Sequence, residues 1–480
     1  AAHNPLSVAM LDACDRIGML VMDELTDMWV RGKTVHDYAL DFPQWWERDV
    51  EALVAKDINH PSVIMYSLGN EIAEVGTPHG AVLARAMAEK VRSLDPTRLV
   101  TNGVNVALAV MDEIAANGPP AGLNDLGQAM NVMSLGESAT RRTEESHSVL
   151  DVVGLNYAEG RYELDRDLFG HRVLVGSETF PSQIGRLWPM VESSANVIGD
   201  FTWTGWDYLG EVGIGATAYA EDESAVPGLE REFPYLTAWC GDLDITGFRR
   251  PVSYYREIVY GLRSEPYIAV LRPEHHGHAI TMQSPWAWSD SVASWTWPGF
   301  EGEPVTVEVY ADASVVALLV DGTEVARADV GAARPKVAVL ETVYTPGELT
   351  AIAYRDDVEV GRTTIRTGPL ASLALTATPD RATLHAGEQD LSFVALELVA
   401  DGVIVGADRA VTVEVTGAGE LAGMCSANPK TTERFDASTW KTFDGRALAV
   451  VRPTGLGTIT VTCTAEGLPP VTITLEVIEA

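Results

Sequence analysis

The chain has 480 residues, 46% of them hydrophobic and 21% charged, which suffices for about three domains with their own cores. Its net charge of −34 argues against nucleic-acid binding and against anionic membrane surfaces. No run of 18 apolar residues occurs, so no transmembrane helix is predicted.

The chain opens on His3-Asn4-Pro5, and a helical pattern follows at once, with Met10, Cys14 and Ile17 at i, i+4 and i+7. Gly18 ends that helix. Met19 to Met22 is a short apolar strand ending on Asp23-Glu24, followed by a loop containing Trp29. The next helix carries Phe42, Trp46, Val50 and Leu53 on one face, with Pro43 near its start. His60-Pro61 then blocks further helix, because the residue before proline is pushed out of the helical region. Ser62 to Leu68 is apolar through Val63–Tyr66 and stops on Asn70-Glu71, the pattern of a strand buried on both faces. Leu83, Met87, Val91 and Leu94 mark a helix, and Leu99 to Gly103 a strand. Val106 to His147 is helical in places, with a Gly118-Pro119-Pro120 break. Strands follow at Val149–Asn156, at Arg172–Ser177 before Glu178, and at Val197–Trp203.

Six buried strands alternating with helices predict a parallel sheet. Each ends on a polar or aromatic residue of catalytic type, as at the C-terminal face of a (β/α)8 barrel. The predicted fold is therefore multidomain α/β plus all-β. A partial (β/α)8 TIM barrel over residues 1–265 is followed by a β-sandwich over 266–368 and an Ig-like β-sandwich over 369–480. The sandwich readings rest on alternating segments such as Val305–Tyr310, Ala410–Val415 and Thr458–Cys463, and on turns such as Asp321-Gly322.

Four cysteines are too few for a disulfide scaffold. Cys14 and Cys240 read as small buried apolar residues. Cys425 and Cys463 fall in the same sandwich and could pair, although reduced thiols and a cytoplasmic location are the expectation.

Asp57-Ile58-Asn59-His60-Pro61-Ser62, the apolar strand and Asn70-Glu71 resemble the acid/base signature of glycoside hydrolase family 2. Tyr66 departs from it, since the family usually has Trp there. Val173 to Thr179 resembles the family's nucleophile segment, and Trp239–Asp244 with Gly247–Pro251 resembles the end of its barrel. The resemblance implies Glu71 as acid/base and Glu178 as nucleophile. It further implies sugar contacts from His3, Asn70 and Trp203, and a hydrogen bond from the Tyr157 hydroxyl to the nucleophile. Glu24 is a weaker candidate for the pocket wall, and Trp206 reads more readily than Trp203 as a core tryptophan. Two carboxyls held close raise the pKa of one of them, as a general acid near neutral pH needs. Taken singly, these residues have plainer readings: a helix N-cap for Asn70, a capping carboxylate for Glu178, an aromatic plug for Tyr157, a core tryptophan for Trp203 and a structural histidine for His3.

In the family the Asn-Glu ends the fourth strand and a His-Asn-Pro segment follows the second. By that resemblance the chain begins inside the barrel, and residues 1–480 alone are expected to be nearly inactive. Leu25–Val30 lacks the Glu-x-His pair of some β-galactosidases, so no magnesium site is carried over and no cofactor is expected. Thr204–Tyr208 lacks the lysine that binds a sugar carboxylate in glucuronidases, which favours a neutral sugar. The implied activity is retaining hydrolysis of terminal β-D-galactosides. The alternatives are another β-glycoside, uronides included, or a non-catalytic carbohydrate-binding or structural piece. The expected partners are an oligosaccharide or β-glycoside substrate and, for the sandwiches, another copy in a homo-oligomer.

Overall fold

Six short apolar runs of the first 203 residues become six strands: β1 Val21–Glu24, β2 Val63–Asn70, β3 Leu99–Val104, β4 Val153–Asn156, β5 Leu174–Thr179 and β6 Val197–Thr202. They pair in sequence order, each parallel to the next. The computed structural model describes residues 1–118, 126–220, 231–387 and 389–479. These fall into two compact units, Ala1–Trp203 and Thr204–Ala480.

In the first unit, helices fill every crossover between strands, as parallel pairing requires. They are α1 Val8–Ile17 before β1, α2 Phe42–Asp57, α3 Pro78–Leu94, α4 Met111–Asn117, α5 Leu126–Ser134, α6 Glu137–His147, α7 Arg161–Leu168 and α8 Ile184–Ser193. The apolar faces of α2 (Phe42, Val50, Leu53) and α3 (Met87, Val91) join Tyr66, Leu68 and Val100 of the sheet in one core. Helix and strand therefore bury each other's apolar surface, the dominant stabilising term. The segment from Val106 to His147 is a 3-10 turn followed by α4, α5 and α6. Gly118 caps α4 at φ 76°, whereas Pro119 and Pro120 lie outside the described residues.

Two expectations fail for reasons of packing. Helix α1 buries Leu11 and Cys14, while Met10 and Ile17 are more than half exposed. Both patterns are helical in period, and the neighbouring core selects the one containing Leu11. Strand β6 is not buried on both faces: Ile198 and Phe201 are exposed, because β6 is an edge strand paired only to β5. The first strand also starts later than predicted, at Val21, so that Asp23 and Glu24 belong to it.

The second unit contains α9 Pro251–Val259 and is otherwise largely β. Between 267 and 366, all strands but Ile280–Met282, which pairs with Ala218–Tyr219, form two four-stranded antiparallel sheets around a core including Val307, Leu318 and Leu349. Strands between 374 and 478 form two five-stranded sheets around Leu396, Val451 and Val461. The Asp321-Gly322 turn has φ 47° and 79°, which suits a two-residue hairpin between Val315–Val320 and Thr323–Asp329. All four cysteines are free thiols, and Cys425 and Cys463 stand in different sheets. Among the described residues, no helix is long and apolar enough to cross a membrane.

Candidate active site

Polar side chains gather at and just beyond the C-terminal ends of β1 to β6. Asn70 is the last residue of β2, and Glu71 follows with a left-handed backbone, φ 47°. Its N–H donates to the Gly103 carbonyl at 2.7 Å. Tyr157 follows β4 at φ 53°, its N–H bonded to the Glu178 carbonyl at 2.9 Å. Left-handed backbone costs a side-chain-bearing residue about 1 kcal/mol, and such strain concentrates at functional sites. The ladder also slips between Ser67 and Asn70 and between Leu155 and Asn156, just before these positions.

A chain of side-chain hydrogen bonds fixes the floor of the site. Ser177 Oγ donates to Asn156 Oδ1 at 2.7 Å, Asn156 Nδ2 to Asn70 Oδ1 at 2.8 Å, and Asn70 Nδ2 to Asp27 Oδ1 at 3.0 Å. Lys33 Nζ closes the chain on Asp27 Oδ1 at 2.7 Å and on the Asn70 carbonyl at 3.0 Å. Each amide orientation follows from this directionality.

The two carboxyl groups sit above that floor. Glu71 Oε1 accepts from Asn105 Nδ2 at 2.8 Å. Glu178 Oε2 accepts from the Tyr157 hydroxyl at 2.7 Å, and the Tyr157 ring stacks on Phe180. Burial raises the Glu71 pKa above the usual carboxyl value, against the Asn105 hydrogen bond and the Lys33 charge. Burial likewise pushes Glu178 well up, the Glu71 charge adds to it, and the Tyr157 hydrogen bond opposes it. The pair therefore keeps a proton to higher pH than a solvated carboxyl would.

His3 completes the cluster. Its Nδ1 lies 2.9 Å from Glu24 Oε1, and its Nε2 lies 3.8 Å from Glu178 Oε1 and 3.4 Å from Asn70 Nδ2. Its ring stacks on Trp203, with centroids 4.8 Å apart and planes 9° apart. All six residues named from the sequence, His3, Asn70, Glu71, Tyr157, Glu178 and Trp203, are thus brought together. One face of Trp203 is occupied by His3. Trp206 belongs to the second unit and is 57% exposed.

Sequence reasoning missed Asp27, Lys33, Asn105 and Ser177, and did not give Asn156 a role. Asn156 and Ser177 had a usable signal, since both lie at strand ends. Thr204–Tyr208 has no lysine, and the lysine that does stand beside the carboxyls, Lys33, comes from the loop after β1 and is ion-paired to Asp27.

Among the described residues, Asp12, Asp15 and His60 have ligand atoms spaced within 4.8 Å of one another. They lie at the other end of β2 from the carboxyls. Asp15 there braces the His60-Pro61 turn, with Oδ2 2.7 Å from His60 Nδ1 and Oδ1 accepting from the Ser62 N–H at 2.9 Å.

Residues 1–134 match the TIM barrel domain of glycosyl hydrolases family 2, and residues 375–474 match glycoside hydrolase family 2 C-terminal domain 5. Residues 302–361 match DUF4982, a domain of unknown function. The curated relative beta-galactosidase BoGH2A of Bacteroides ovatus is 26% identical over 97% of this chain and 56% of its own length. A putative beta-glucuronidase of Formosa agariphila is also 26% identical, over 76% of this chain and 33% of its own. The crystal structure of a glycosyl hydrolase family 2 member from Bacteroides cellulosilyticus superposes with a TM-score of 0.84 at 34% identity. That match covers 100% of this chain and 57% of the other. The chain spans about half the length of BoGH2A and of that solved protein. By these matches the first unit carries a family 2 barrel sequence and the second a family 2 C-terminal domain 5 sequence.

Proposed function

We propose that the first unit supplies the catalytic centre of a retaining β-glycosidase acting on terminal β-D-galactosides. The observation that carries this is the pair of strand-end carboxyls, half-buried Glu71 and buried Glu178, each with its pKa raised by desolvation and each held by its own hydrogen-bond donor. Retaining hydrolysis needs one carboxyl to protonate the leaving oxygen and another to attack the anomeric carbon. Glu178 takes the second role. Attack by its carboxylate forms a glycosyl ester as the glycosidic C–O bond breaks, and Glu71 gives its proton to the departing oxygen. Glu71, now a carboxylate, then removes a proton from water, which displaces Glu178 from the anomeric carbon and regenerates both groups. The Tyr157 hydroxyl holds Glu178 in line, and Asn70, oriented by Asn156 and Asp27, faces a sugar hydroxyl.

The galactoside reading is supported by the BoGH2A likeness. A uronide is the second reading, because Lys33 places a cation beside Asn70. Asp27, 2.7 Å from that ammonium, already balances it, which favours the neutral sugar. A 2-deoxy-2-fluoro aryl β-galactoside given to the natural full-length protein should inactivate it and label Glu178 in peptide maps. Labelling elsewhere would overturn the role assignment. Faster turnover of an aryl β-glucuronide than of the β-galactoside would replace the first reading with the second.

A further inference from the structure

We propose that Glu24 is a positioning residue for His3. It keeps the ring hydrogen on Nδ1, so that Nε2 offers a lone pair to a hydroxyl of the bound sugar. The inference rests on the glycosidase reading above and assigns a task to a carboxyl group that the reaction itself does not use.

Glu24 ends β1 and is 5% exposed. Both of its oxygens are engaged: Oε1 lies 2.9 Å from His3 Nδ1, and Oε2 accepts from Ser67 Oγ at 2.8 Å. The carboxylate therefore cannot swing away from the imidazole. The stack on Trp203 fixes the plane of the ring, and the Glu24 contact fixes its rotation within that plane. A carboxylate only accepts hydrogen bonds, so Nδ1 is the nitrogen that carries hydrogen.

Nε2 then points into the cluster as an acceptor. The Asn70 amide, at 3.4 Å, satisfies it only loosely, and Glu178 Oε1 at 3.8 Å is another acceptor. Two acceptors facing each other at that distance leave a place for a donor, and a sugar hydroxyl supplies one. The opposite tautomer would reverse both ends. Its Nε2–H would bind Glu178 Oε1 and occupy the nucleophile, while Glu24 Oε1 would face a bare ring nitrogen, a buried acceptor left without a donor.

The test reads the tautomer directly and then its effect. In ring ¹⁵N–¹H correlation spectra of the natural full-length protein, the His3 signal is the one missing from His3→Gln. The expected wild-type state has a single hydrogen, on Nδ1. Glu24→Gln, which keeps an acceptor oxygen, should preserve that state and stay within about threefold of wild-type kcat/KM. Glu24→Leu should shift hydrogen towards Nε2 and lower kcat/KM on an aryl β-glycoside about tenfold, the worth of one hydrogen bond. Across a series of monodeoxy substrates, the penalty should vanish for the one lacking the hydroxyl that Nε2 accepts from. An Nε2-bound or doubly protonated His3 in the wild type would overturn the proposal. Equal losses in both variants with the tautomer unchanged, or a penalty the same on every deoxy substrate, would do so too. Should Glu24→Leu fail to fold, the wild-type and Glu24→Gln spectra still decide. A wild type without glycosidase activity but with hydrogen on Nδ1 would refute the glycosidase reading and keep the geometry.

Discussion

The parallel sheet of the first unit and the mostly antiparallel sheets of the second solve the same burial problem in opposite ways. In Ser392–Ala400 every second side chain enters the core and the others reach towards solvent, so water satisfies whatever is polar on the outer face. In β4 all four residues are buried, and in β2 all but Ile64 are. Polar side chains there have no such outlet. Ser67, Asn70 and Asn156 are all at least 95% buried and must bond to one another or to their neighbours. The sandwich buries shape, whereas the parallel sheet buries a wired set of donors and acceptors. The second arrangement can raise a carboxyl's proton affinity by burial, as it does at Glu71 and Glu178.

Changes at each place should separate these two modes. The largest effect is expected at Glu71. Glu71→Ala should slow glycosides with poor leaving groups by about 10²- to 10⁴-fold and activated aryl glycosides far less, with azide restoring turnover as the β-glycosyl azide. Leaving-group dependence measured in wild type and variant checks this, and a uniform loss without azide rescue would make Glu71 structural. Next comes Leu396→Ala in the sandwich core, where removal of a fully buried side chain should cost about 2–5 kcal/mol of unfolding free energy. The pH–rate profile should stay where it was. Movement of that profile would show that the sandwich core feeds the carboxyl pair after all.

The smallest effect is a gain. The Glu178 pKa is raised in the folded state, so the folded protein holds this proton more tightly than the unfolded chain. The associated stability is complete below about pH 4.5 and is lost as pH rises towards the folded-state value. Glu178→Gln removes that loss. It should be inactive yet melt on the order of 2 °C higher than wild type at pH 7, with the difference shrinking by pH 4. Thermal unfolding across that range measures it, and a variant destabilised at pH 7 would refute the sign.

Much of the site was legible in the sequence because its residues ride on short contiguous signals. Asn70-Glu71 closes an apolar strand, Tyr157 follows Asn156, and Glu178 is the last residue but one of β5. Such positions need only the strand to be found, since the sheet then aligns their ends. Lys33 and Asp27 were not legible, because a long loop can aim a side chain anywhere and its composition does not say where. The face of α1 was ambiguous for a different reason. Cys14 belongs to two helical stripes, and only the sheet decides between Leu11 and Met10. The exposed β6 was missed because a strand's sequence does not state whether a second neighbour covers it.

Gly103 of β3 lies beneath the contact between Asn70 and Asn156. A Cβ there would stand 3.2 Å from the side-chain oxygens of both. Every amino-acid change at this position adds that carbon. A side chain is therefore accepted at this position only if the two asparagines give way by a few tenths of an ångström. The asparagines in turn can be exchanged only for side chains that still fit over a bare backbone. The three residues stand 86 positions apart at their widest, yet they form a single heritable unit. A substitution at any one of the three is therefore expected to change what the other two positions tolerate.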